Sequence, residues 1–151
     1  MKLVAIAAAA EEAGYPRVNY PLEHSLVYFL SQGRGQLKFS NYIFNMNLYP
    51  SFLPADKKKG PIRYPHSLEL RDDLGYLETL GYVDAIRQSM PSYSLGPRGK
   101  DEKDKILGRY DSYVQETGEM SYRTLVSKVK EGMNNPRKML EECYRWYIST
   151  L

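Results

Sequence analysis

Apolar residues recur along this chain with periods that change at definite places. Leu70, Leu74, Leu77 and Leu80 fall at i, i+4, i+7 and i+10, the spacing of a single helical stripe turned toward a core. Ser67 precedes them as a capping residue, and Glu69 sits where the helix dipole favours a carboxylate. Gly81 offers the left-handed conformation that ends a helix. The spacing predicts a helix over 67–80, a strand over 82–86, a turn at Met90-Pro91-Ser92 and a returning strand over 92–95, broken by Gly96-Pro97-Arg98-Gly99. Helix, turn and two-stranded ribbon in that order form the second half of a winged helix-turn-helix.

The flanks follow the same logic. Residues 3–13 read as a helix closed by Gly14 and Pro16. Leu22, Leu26, Phe29 and Leu30 predict a second buried helix over 22–32, ended by Gly33 and Gly35. From 37 to 48 the period drops to two, as in a half-buried strand, with a break of phase at Ser40-Asn41 that suggests a turn or bulge. Pro50, Pro54, Gly60 and Pro61 punctuate 50–64 as a loop. Beyond residue 100 come three helical stripes: Ile106, Tyr110, Tyr113 and Val114; Leu125, Val126, Val129 and Met133; and Leu140, Cys143, Tyr144 and Tyr147. Thr117-Gly118 and Asn134-Asn135-Pro136 separate them. The expected fold class is mainly α with a small β-ribbon. A winged-helix domain over 1–100 carries a helical C-terminal extension over 101–151, packed on it as one unit.

Length and composition fit this frame: 151 residues, 42% hydrophobic and 26% charged, are ordinary for one globular domain. The 14 tyrosines against 4 phenylalanines are not. They point to a core that reaches the surface through amphipathic rings, or to a contact surface. A single cysteine, Cys143, excludes an intrachain disulfide and makes a reducing compartment, the cytoplasm, the expectation. No run of about 18 apolar residues is present, so no membrane span is expected. Met1–Ala10 has one positive charge and an apolar run like the start of a signal peptide. Glu11 and Glu12 follow at once, however, and alanine is the strongest helix former, so a helix is expected.

Three segments carry a resemblance to known proteins. Leu26-Val27-Tyr28-Phe29-Leu30-Ser31-Gln32, Tyr64-Pro65-His66-Ser67-Leu68-Glu69-Leu70, and Leu74 through Gly81-Tyr82-Val83 with Tyr93-Ser94-Leu95 and Gly99 resemble the winged-helix proteins of the Panacea (SocA-like antitoxin) and YwgA-like type. The likeness covers about residues 20–100. It implies a winged-helix fold and, by analogy, a regulatory or antitoxin-like role.

Catalytic chemistry finds no support in the residues. His24 and His66 lie far apart in sequence, Cys143 sits in a helical stripe as a small core residue, and Asp72-Asp73 with Glu69 read as a solvated acidic face. Gly96 and Gly99 do not fit a phosphate-cradling loop. No catalytic residue, metal ligand or cofactor is assigned, and a non-enzymatic role is expected.

Charge bears on the partner. The net charge is +3 and the pI about 8.8, too mild to announce nucleic-acid binding alone. Over 67–80 a single arginine, Arg71, faces four carboxylates, Glu69, Asp72, Asp73 and Glu78, a net −3 that repels phosphates. Basic residues lie around this helix: Lys57, Lys58, Lys59 and Arg63 before it, Arg87, Arg98 and Lys100 about the ribbon. These seven are the expected contacts to double-stranded DNA in a transcription-regulating homodimer. The alternative is a protein–protein interaction module, antitoxin-like or an oligomer adaptor. Its surface would be the acidic helix and the tyrosines, with 121–133 and 136–149 packing against a twin.

Overall fold

The computed structural model describes residues 1–20, 22, 26, 43–48, 62–87 and 90–149. In chain order the elements are α1 (Lys2–Glu12), β1 (Val18–Asn19), β2 (Ile43–Leu48), β3 (Ile62–His66), α2 (Leu68–Thr79), β4 (Val83–Ile86), β5 (Ser92–Leu95), α3 (Pro97–Asp101), α4 (Lys103–Thr117), α5 (Tyr122–Asn134) and α6 (Pro136–Ser149). The described chain is mainly helical. It has a three-stranded antiparallel sheet in the order β1-β5-β4 and a two-stranded sheet of β2 with β3.

α1 sits at the centre. All residues from Leu3 to Ala10 are buried, and a helix that is apolar all round belongs inside a core. Its alanines let β5, α4 and α5 pack directly against it. Gly14, at φ +89°, ends the helix as expected. Its N–H donates to the Glu11 carbonyl, and that of Tyr15 to Ala10.

α2 begins and ends where its sequence predicts. Ser67 Oγ accepts from the Leu70 N–H at 3.3 Å. Leu70 and Leu74 are buried and Leu77 is half-buried. At φ +82°, Gly81 donates to Glu78, and the Tyr82 N–H reaches the Leu77 carbonyl. β4 then pairs with β5 through Val83↔Leu95 and Ile86↔Ser92, which is the expected ribbon.

Three features differ from the sequence reading. β1, only two residues long, pairs with β5 through Val18↔Tyr93 and is too short to leave a period. The end of the expected 50–64 loop is strand: Ile62, Arg63 and Tyr64 belong to β3, opposite Leu48, Asn47 and Met46. Pro65, also in β3, lies opposite the register shift between Ile43 and Met46, where a missing N–H costs no ladder bond. Gly96-Pro97-Arg98-Gly99 does end β5, but it also starts α3, with Pro97 in the first turn. The expected strand over 37–42, most of the helix over 22–32, the 50–61 loop and Tyr147's side chain lie outside the described residues. Leu22 and Leu26 are helical and buried.

The core joins both halves of the chain. Tyr110, Val114, Leu125, Val129, Leu140 and Cys143 pack in one cluster with Ile6, Leu22, Leu74 and Val83, so the C-terminal helices complete the interior that α1 and α2 begin. Tyr113, Val126, Met133 and Tyr144 are only half-buried at its margin.

Arg17 clamps the ribbon. Its Nε donates to Ser92 Oγ at 2.8 Å, Nη1 to Ser94 Oγ at 3.0 Å, and Nη2 to the carbonyls of Ser92 and Asp84. Arg17→Ala is expected to destabilise the protein by about 1–2 kcal/mol in urea unfolding, since bonds from a charged donor carry more than neutral ones. Arg17→Lys should recover little of this, because a point charge cannot reproduce the planar fork.

Candidate binding face and the cavity behind it

α2 and the ribbon after it present the face on which the sequence places binding. Leu68, Glu69, Arg71, Asp72, Asp73, Tyr76 and Thr79 are the exposed positions of α2. Leu68 is 54% and Tyr76 65% exposed, and these large side chains stand among three exposed carboxylates. Ile86, at the end of β4, adds another exposed apolar group.

The expected cationic contacts do not share one element. Arg63 is exposed on β3, in the separate two-stranded sheet. Arg87, just past β4, donates from Nη1 to Glu78 Oε2 at 2.6 Å, which ties it to the acidic helix. Arg98, on α3, bonds Glu102 through Nε at 2.6 Å and lies over the Tyr82 ring at 4.5 Å from its centre. Lys100 is exposed on the same short helix. Lys57, Lys58 and Lys59 lie outside the described residues. Exposed ion pairs of this kind are weak and screened by solvent, so Arg87 and Arg98 can exchange partners at small cost.

Behind the face lies a cavity of about 580 Å³, lined by Tyr20, Tyr64, His66, Arg71, Gly75, Arg87, Met90, Pro91 and Tyr93. Five parts of the fold converge here: the helical turn after β1, β3, α2, the end of β4 and the entry to β5. The Tyr20 N–H donates to the Pro91 carbonyl at 2.8 Å, seating Tyr20 against the ribbon. Tyr20 Oη and His66 Nε2 share a hydrogen bond of 2.9 Å, and the Tyr64 ring meets His66 edge-on, 6.4 Å between centres. Burial, reinforced by the charge of Arg71, lowers the His66 pKa, so its imidazole is neutral near pH 7. Burial also pushes the Tyr20 phenol up to about 12. The walls are therefore neutral hydrogen-bonding rings, and the charge comes from two guanidinium groups.

Sequence reading passed over this cavity. Its one trace there is the excess of tyrosine, three of which line it. Arg71, the lone cation on an acidic helix, also reads differently once Arg87 is seen to line the same space. Among the described residues no group of three His, Cys, Asp or Glu side chains is placed to hold a metal ion. Among the same residues no helix is long and apolar enough to cross a membrane. Compared with known proteins, the chain matches no family model, no curated protein and no solved structure.

Proposed function

We propose that this chain is a non-enzymatic regulatory binding module of winged-helix type, and that α2 with the β4–β5 ribbon engages a protein carrying a basic surface. The observation that carries the partner class is the exposed face of α2, where Glu69, Asp72 and Asp73 surround Tyr76. The fold reading is supported by α2 leading directly into the ribbon and by the order β1-β5-β4, in which the first strand pairs with the last. In a winged helix-turn-helix, the helix before the ribbon meets the partner. Carboxylates there repel a phosphate backbone; toward a cationic protein the same groups steer encounter and fix register. Tyr76 supplies the amphipathic anchor common at the centre of interfaces. The resemblance to antitoxin-like proteins agrees with this reading.

Duplex DNA is the second reading, favoured by the exposure of Arg63, Arg98 and Lys100. A homodimer, the remaining partner expectation, draws support from Trp146 and Ile148, both exposed on α6.

One pair of measurements separates the first two readings. The tagged chain and its Asp72→Lys/Asp73→Lys/Tyr76→Ala variant are compared as baits in cells of the source. A basic protein held by the first and lost by the second is the expected result; identical retained sets would sink the protein reading. In parallel, anisotropy with a duplex of about 20 base pairs at about 50 mM salt tests DNA. The DNA reading requires binding that weakens at least about tenfold when Lys57, Lys58, Lys59, Arg98 and Lys100 become alanine, and it fails if no binding is seen.

A further inference from the structure

The geometry points to a small-molecule site in the cavity behind α2: we propose that it takes a planar aromatic ring bearing one anionic group, a carboxylate or a phosphate. The ring lies among Tyr20, Tyr64 and Tyr93, and the anion is held between Arg71 and Arg87. The inference is independent of which macromolecule the outer face engages.

Volume and lining both suit such a ligand. Small-molecule sites span about 300–1,000 Å³ and combine aromatic walls with a few placed polar groups, and this cavity holds about 580 Å³. Arginine's planar fork matches carboxylate and phosphate oxygens two at a time. Among the described residues, Arg71 pairs with Asp72 at 3.8 Å and Arg87 with Glu78 at 2.6 Å, both carboxylates at the surface. Such solvent-screened pairs are weaker than a charge-assisted bond to a partly enclosed anion. The charge of Arg71 is felt at His66, where it adds to burial in lowering the imidazole pKa, and at Tyr20, where it opposes the rise that burial causes.

Gly75 is a second, independent sign. It lies in the middle of α2, where glycine is less favourable than alanine. A Cβ built there meets nothing within 4 Å, so no close packing requires the glycine. Its backbone is helical, so no turn requires it either. What the missing side chain does is leave open the wall of this cavity.

The test titrates the full-length chain with four probes by calorimetry: phenyl phosphate, benzoate, phenol and inorganic phosphate. At least one of the first two should bind saturably with Kd at or below about 1 mM. Phenol and inorganic phosphate, each lacking half of the recognised chemistry, should bind at least about tenfold more weakly. Preference for phenyl phosphate assigns a phosphate-bearing ligand; preference for benzoate assigns a carboxylate. Arg71→Gln, Arg87→Gln and Gly75→Leu should each weaken the favoured probe by at least about tenfold. Gly75→Ala, which should fold at least as stably as the parent, shows whether α2 tolerates a side chain at this position. The proposal is overturned if neither ring-bearing anion binds below about 10 mM, if phenol or inorganic phosphate binds as tightly, or if folded Arg71→Gln and Arg87→Gln proteins keep the parent affinity.

Discussion

Replacing Leu74 by alanine is expected to lower the stability of this protein by about 2–5 kcal/mol, the range for emptying a fully buried leucine site. Leu74 has 0% exposure and belongs to the cluster that holds Ile6, Leu22, Val83 and Tyr110. The cavity left behind would open between α2, α1 and the ribbon, elements that cannot all move inward. Leu68 on the same helix is 54% exposed, and Leu68→Ala should change stability by no more than about 0.5 kcal/mol. Denaturant unfolding of the two variants measures the contrast. Equal losses would mean that the stripe does not face the core.

Gly99→Ala is the other large effect. A Cβ at this position would stand 2.3 Å from the Tyr82 carbonyl oxygen, and that oxygen is held in place by the Gly96 N–H at 2.9 Å. A backbone group fixed in this way cannot swing aside as a side-chain tip does, so the cost should reach about 3 kcal/mol, the upper end for overpacking. Gly96 meets a similar limit, with the Gly81 oxygen 2.4 Å from its would-be Cβ. Gly108, in α4, has nothing within 4 Å of a Cβ, and Gly108→Ala should stabilise the protein by up to about 1 kcal/mol through helix propensity. Thermal melts of the two alanine variants should therefore move in opposite directions. A melt of Gly99→Ala like that of the parent would refute the close approach.

Local features of the fold were legible. Ser67, the leucine repeat and Gly81 bound α2 within a residue or two because capping and helical period are written in neighbouring positions. The same holds for Ile106, Tyr110 and Val114, for Leu125 and Val129, and for Leu140 and Cys143. β1 and β3 were not legible, since a strand of two residues has no period and Ile62, Arg63 and Tyr64 follow Gly60-Pro61 at the end of a stretch that reads as a loop. Gly96 and Gly99 read in sequence as a break, whereas each also admits a carbonyl from the turn after α2. Of the expected contacts, Arg87 and Arg98 proved to be engaged by Glu78 and Glu102, pairings that depend on the ribbon and α3 being folded.

The sequence by itself determined the helices over α1, α2 and the three C-terminal stripes (though not α3), the points where α2 starts and stops, and the acidity of its outer face. These are properties of residues a few positions apart, and short-range sterics, capping and amphipathic spacing specify them. Only the tertiary structure decided that α1 is enclosed on every side, that Val18 pairs with Tyr93, and that Tyr20, His66, Arg71, Arg87 and Tyr93 line one cavity. A hydrophobic period states that a face is buried but not what it is buried against, because the partner is chosen by packing between segments distant in the chain.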